Sequence, residues 1–242
     1  MRAAREAQEK LLALQNLDSS IIQINHKLQN LAVIKALDAK LQEIGSLRDL
    51  KVAAETEHSD IKHELSRSEV DVEQVVSRIE RDEKRLASGQ GTPKELEQLQ
   101  HEIGSLSRRR AELEEVELEV MVRLEALNNR ISAMTASLAS LETEVAELSV
   151  RKEHEEAELG SARKKSEEDR NSIASAIDPE LLGLYEKIRA GSDGVGAARL
   201  NGDQCEGCHL KMNAAEIVRV KSLADDEVVR CEECRRILIR VG

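Results

Sequence analysis

The 242-residue chain contains no Phe, no Trp and a single Tyr, Tyr185, although 40% of its residues are apolar. Thick globular cores draw on aromatic rings that bury roughly 150–250 Å² each, so a core of that kind is not expected. With Leu, Ile, Val and Ala as fillers and 34% of residues charged, the composition suits narrow helix–helix seams. No apolar run approaches the roughly 18 residues of a membrane helix, and no membrane partner is expected. The opening MRAAREAQEKLLALQ lacks the apolar block of a signal peptide, which makes the cytoplasm the expected location. Cysteine is scarce too, with four in all. In a reducing compartment four cysteines read as metal ligands or redox thiols rather than disulfides.

What is abundant is helical periodicity. Leu14, Leu17, Ile21, Ile24, Leu28 and Leu31 follow alternating three- and four-residue steps, the mark of a heptad seam. Consecutive three-residue steps through Ile34 and Leu37 overwind such a seam, so a break is expected at residues 32–38, with Asp38 capping the restart. The seam resumes at Leu41, Ile44, Leu47 and Leu50, runs on to Ile79, and returns from Leu96 to Leu148.

Between these arms lies SGQGTPKE (88–95). Its glycines supply a left-handed helix stop. Thr92, Pro93 and Glu95 supply a cap, a first-turn proline and a capping box. Stop and start signals this close, with arms of nearly equal length, predict an antiparallel hairpin over residues 1–176 with its tip near 88–92. The anticipated register pairs Leu47 with Met134 and Leu65 with Val116. The N-terminal seam, however, lies opposite the polar stretch RKEHEEAELGSARKKSEEDR. It needs another surface, either the C-terminal module or a second copy of the chain in a homodimer.

Seven of the 12 glycines fall in the last sixty residues, marking a module over 177–242. Asp178-Pro179 opens a short amphipathic helix, a strand is expected over Val195 to Leu200, and Asn213 caps a further helix. The CxxC pairs Cys205/Cys208 and Cys231/Cys234 are separated by 22 residues. Four thiolates suit one structural Zn²⁺ and close its tetrahedral shell, leaving no place for water or substrate. The 42 residues from Asn201 onward are too few for a self-sufficient core, so metal binding is expected to supply folding energy. Redox CxxC pairs would want thioredoxin-like βαβ surroundings, and nothing accompanies an iron–sulfur centre. A zinc hook fails because the tip has no cysteine. His209 is the one alternative ligand in reach. The fold class expected is mostly α, a long antiparallel coiled-coil hairpin followed by a small β-rich zinc ribbon.

These features resemble a family of bacterial proteins with a coiled-coil hairpin and a four-cysteine zinc ribbon. The resemblance rests on C-x-G-C-H (Cys205, Gly207, Cys208, His209), C-x-x-C-x-R-I-L (Cys231, Cys234, Arg236, Ile237, Leu238) and the tip segment from Ser88 to Arg109. It implies a non-catalytic adaptor. Its members are implicated in RNA binding and in contacts with an alternative sigma factor, notably in flagellar gene control. Arg235 stands where the family pattern has glycine, at a position that calls for positive φ and costs another residue on the order of 1 kcal/mol.

The formal net charge of −11 repels nucleic acid as a whole, so contact with RNA or DNA must come from local patches. Residues 78–110 carry eight Lys/Arg against six Asp/Glu, which makes Lys94, Arg108, Arg109 and Arg110 candidate contacts. The competing expectation is that this cluster pairs with Asp71 and Glu73 across the hairpin. In the ribbon Lys211, Arg236 and Arg240 are candidates, although some arginines there are expected only to offset the thiolates. A protein-interaction scaffold without nucleic-acid binding is the alternative function. No phosphate loop or histidine cluster points to an enzyme.

Overall fold

The structure, a computed structural model, describes residues 1–240; the last two positions of the expected 177–242 module lie outside them. Among the described residues five helices and four short strands follow in the order α1 (Arg5–Gln29), α2 (Ala32–Ala87), α3 (Pro93–Ser175), α4 (Pro179–Ala190), β1 (Ala197–Asn201), β2 (Gln204–Cys205), α5 (Ala214–Ser222), β3 (Val229–Arg230) and β4 (Ile237–Arg240). The chain divides into two compact units, one formed by Ala36–Leu148 and the other by Met1–Lys35 with Ser149–Gly242.

The first unit is an antiparallel hairpin made of α2 from residue 36 onward and of α3 up to residue 148. Its core is a single seam, as a chain without large rings dictates. Ile44 packs with Leu138 and Leu141, and Ala54 packs with Leu127 and Met134. Leu47 joins both clusters, so Leu47 and Met134 share a cluster, in line with the expected register. The Leu65–Val116 pairing does not hold, because Val116 is 49% exposed while Val120 is buried. Heptad steps back from Val120 reach Glu117 and Leu113, both half-buried, and leave Val116 on the outer face. Lys40 reaches Glu144 at 2.9 Å and Arg48 reaches Glu142 at 2.6 Å. Glu64 pairs with Arg123, and Arg78 with Glu102. Exposed pairs of this kind favour one register more than they stabilise it.

The tip forms for the expected reason. Gly89 takes φ 66°, a left-handed value that glycine adopts without penalty. Glu95 accepts the Thr92 backbone N–H at 2.6 Å, and the Glu95 N–H donates to Thr92 Oγ1 at 3.4 Å. The backbone N–H and then the hydroxyl of Thr92 hold the Glu95 carboxyl below its ordinary range.

The interruption between α1 and α2 falls at Asn30–Leu31, ahead of the interval 32–38, and Asp38 lies inside α2 rather than capping it. Asn30 causes the stop. Its side-chain amide donates to His26 O at 2.8 Å and its backbone N–H to Lys27 O at 3.1 Å.

In the second unit the sheet runs β2-β1-β4-β3, with β1 and β4 parallel and the other pairs antiparallel. Side chains alternate across a strand, and here both faces are covered. Ala197, Ile237 and Ile239 face a cluster with Leu11, Leu14, Ile177, Leu181, Tyr185 and Ile188. Ala198, Leu200 and Leu238 face Met212, Val220, Val229 and the cysteines. That is why β4 reads Ile-Leu-Ile without alternation. Leu11 and Leu14 are fully buried, so the start of the N-terminal seam is covered by the chain's own C-terminal part.

Candidate metal centre

Each CxxC closes a tight knuckle, and the two are built alike. The Cys205 N–H donates to Leu210 O and the His209 N–H returns to Cys205 O at 2.7 Å. The Cys231 N–H donates to Arg236 O and the Arg235 N–H returns to Cys231 O at 2.9 Å. The turn forces the residue after each second cysteine into the left-handed region, φ 61° at His209 and φ 63° at Arg235. The positive φ expected at Arg235 is therefore present, and His209 shares it. Gly207 is required for space, since a Cβ there would lie 2.8 Å from Arg236 Cδ and 2.9 Å from Ala198 Cβ.

The four sulfurs lie within 4.8 Å of one another. Cys205 Sγ stands 3.9 Å from Cys234 Sγ, and Cys208 Sγ stands 3.9 Å from Cys231 Sγ. A tetrahedron with Zn–S bonds of about 2.3 Å has edges of about 3.8 Å, so spacing and donor chemistry fit one Zn²⁺ held by Cys205, Cys208, Cys231 and Cys234. The ion supplies a cross-link, and the residues around it set the protonation of the site. Burial pushes the Cys205 thiol up to about 12 against the pull of the Cys208 and Gly207 backbone N–H groups. Burial likewise raises Cys231. At Cys234 burial also pushes upward, but the Arg236 backbone N–H and donation from the neighbouring thiols outweigh it and lower the thiol.

The candidate contact residues separate into three kinds. Arg236 donates to Val195 O at 3.1 Å, Gly207 O at 2.8 Å and Ser192 O at 3.1 Å, tying the first knuckle to the α4–β1 loop. Arg240 donates to Val220 O, Leu223 O, Ala224 O and Glu227 O, closing the C-terminal end of α5 where a cation suits the helix dipole. Both guanidiniums are engaged within the fold. Lys211 pairs with Asp203 at 3.3 Å on the surface. At the tip, Arg109 pairs with Glu112 at 3.2 Å and Arg110 with Glu114 at 2.7 Å, along α3 and not with Asp71 or Glu73. Lys94 and Arg108 are exposed and form no ion pair among the described residues.

A polar face of α1 was missed. Gln8, Gln15 and Asp18 are at most 6% exposed. Gln8 donates to Asp225 O at 3.0 Å. Gln15 donates to Gly194 O and accepts from the N–H of Gly196 at 2.7 Å. Asp18 accepts from Arg170 at 2.7 Å, Arg189 at 2.9 Å and Tyr185. The signal was present: Gln8, Leu11, Gln15 and Asp18 follow the same three- and four-residue steps as the leucines.

Comparison with known proteins agrees with this geometry. Residues 14–193 match the model of the CT398-like coiled coil hairpin domain, and residues 204–238 match that of the C4-type zinc ribbon domain. The chain is 36% identical over 241 residues to the uncharacterized protein Rv2229c of Mycobacterium tuberculosis, covering 100% of this chain and 98% of the other. A solved structure from Mycobacterium smegmatis is 35% identical, with a TM-score of 0.84 over 99% of this chain and 100% of that one. CT398 from Chlamydia trachomatis, 20% identical, shares the fold with a TM-score of 0.66 over 98% of each chain.

Proposed function

The chain belongs to the CT398-like coiled-coil hairpin family with a C4-type zinc ribbon, and from that premise we propose that it is a non-catalytic, zinc-binding adaptor whose hairpin tip contacts nucleic acid. The observation that carries the reading is the unpaired state of Lys94 and Arg108. In a chain of net charge −11, exposed cations without carboxylate partners mark where a polyanion can approach. Arg109 and Arg110 stand beside them in weak exposed pairs that a phosphate can replace. RNA and an alternative sigma factor are the partners that the family resemblance supports, in a cytoplasmic setting. Among the described residues no helix is long and apolar enough to cross a membrane.

A test follows from composition. With one Tyr and no Trp, protein purified at low salt absorbs little near-ultraviolet light itself, so co-purified nucleic acid dominates that region of the spectrum. A clean protein spectrum together with no RNA or DNA shift would sink the reading.

The second reading, a protein-interaction scaffold, is favoured by a specific patch. Leu118, Met121 and Val122 lie on one face of α3 and are 61%, 47% and 65% exposed, amid Glu114, Glu115, Glu117, Glu119 and Glu125. A homodimer through the N-terminal seam has less to hold than the sequence suggested, because Leu11 and Leu14 are buried within the chain.

A further inference from the structure

Of the seven Lys/Arg in residues 201–242, four are held by an ion pair or by several backbone carbonyls: Lys211 and Arg219 in ion pairs, Arg236 and Arg240 on three and four carbonyls. Two of the remaining three, Arg230 and Arg235, line a small cavity of about 230 Å³ together with Lys187 of α4. Leu184 and Ile188 contribute its apolar part, Ser192 adds a hydroxyl, and no carboxylate lines it. None of the three cations forms an ion pair among the described residues. Arg230 uses only its Nε, donating to Arg235 O at 2.9 Å, which fixes the side chain and leaves its terminal nitrogens free.

All three are exposed, and together they make a local positive patch that attracts an anion. The chain has carboxylates in excess, 47 against 36 basic side chains, yet none is placed here. Helix polarity accounts for Lys187 alone, which stands in the last turn of α4. It does not account for Arg230 on β3 or Arg235 in the second knuckle. Arg235 moreover sits at φ 63°, a conformation unfavourable for any residue but glycine. The knuckle dictates that backbone, and Arg235 brings a charged side chain to it. The cavity is smaller than the roughly 300–1,000 Å³ of drug-sized ligand sites, and guanidinium forks match phosphate oxygens.

We propose that Lys187, Arg230 and Arg235 form a phosphate-binding site on the flank of the zinc ribbon. The ligand is a phosphate group, either of a free phosphate ester or of a nucleic-acid backbone. The site is independent of the hairpin tip, and different variants test the two. A charge offset for the zinc thiolates would show instead as zinc loss in the variants.

The test titrates full-length, zinc-loaded protein with three probes and follows backbone amide resonances. The probes are inorganic phosphate, a nucleoside monophosphate, and a single-stranded oligoribonucleotide without terminal phosphates. Saturable shifts at Lys187, Ser192, Arg230 and Arg235 are expected. Response to the first two assigns the free ester; response to the oligonucleotide alone assigns the backbone. Lys187→Gln and Arg235→Gly should each weaken binding roughly tenfold or more, with one zinc retained per chain. Arg235→Gly relieves the left-handed backbone, so loss of binding there cannot be put down to misfolding. No saturable shift with any probe, unchanged affinity in both variants, or zinc loss that parallels the loss of binding would overturn the assignment.

Discussion

The Tyr185 hydroxyl donates to Asp18 Oδ2 at 2.6 Å, joining α4 to α1 across 167 residues of sequence. Both side chains are buried, Tyr185 at 0% and Asp18 at 1% exposure. Arg170 from α3 and Arg189 from α4 converge on the same carboxylate, and Glu186 pairs with both arginines. Burial works against the Arg170 charge, but the hydrogen bonds it donates to Asp18 and Glu186 outweigh it and raise its pKa. A carboxylate so enclosed holds α1 to the ribbon unit only while all its partners are present.

Asp18→Ala is therefore expected to destabilise the ribbon unit by about 1–3 kcal/mol, the cost of removing a buried charged acceptor from the phenol and from two guanidiniums that keep Glu186. Tyr185→Phe should cost about 1–3 kcal/mol for one lost donor to a charged acceptor. Hydrogen exchange of the α1 amides measures both. Protection in α1 that is unchanged in Asp18→Ala would show that the network does not hold the helix.

The same bond sets a response to alkali. Burial first, and then the bond to Asp18, push the Tyr185 phenol far above its ordinary 10.0. A raised pKa gives stability that is complete below the unfolded value and lost as pH rises past it, since the unfolded chain releases a proton that the folded chain keeps. Tyrosinate absorbance should appear together with loss of α1 protection above pH 10.0. Ionisation as a simple surface phenol, without any structural change, would contradict this.

Zinc loading should release protons. Burial holds Cys205 near 12 and raises Cys231, so at neutral pH both are thiols that the metal must deprotonate. Affinity is expected to fall as pH falls, with proton release visible as a buffer-dependent heat in calorimetry. Cys205→Ser or Cys231→Ser should abolish zinc binding and disorder the ribbon while the helices of residues 36–148 persist. Loss of most helical circular dichroism in those variants would mean that the hairpin also depends on the metal.

Arg240 is predicted to be structural. Arg240→Met removes the donors from four backbone carbonyls at and beyond the end of α5, an expected loss of roughly 1–3 kcal/mol. Chelators should strip zinc faster, while nucleic-acid affinity of the zinc-loaded variant stays unchanged. An affinity loss with normal zinc retention would return Arg240 to the contact surface.

Much of this molecule was legible because its signals are local. Heptad steps, a capping box and CxxC pairs each need only a few neighbouring residues, and they located the hairpin, its tip and the metal ligands. What escaped depends on residues far apart. Arg236 and Arg240 bind backbone carbonyls of the α4–β1 loop and of α5, which a sequence cannot show to lie within reach. Gln15 and Asp18 drew no expectation because their partners, Gly196 and Tyr185, lie about 170 to 180 residues away. The break at Asn30 escaped for the opposite reason. A single side-chain bond to His26 decided it, and the overwound seam drew attention a few residues too late.

The most direct test of the adaptor reading compares wild type with the Lys94→Ala, Arg108→Ala, Arg109→Ala triple variant, as binding of a single-stranded RNA across a salt series. Each lost phosphate contact should lower the slope of log affinity against log salt by about 0.7, so a change of about 2 is expected, with weaker binding at every salt concentration. Equal affinities and slopes for the two proteins, or no RNA binding by wild type at low salt, would contradict the account.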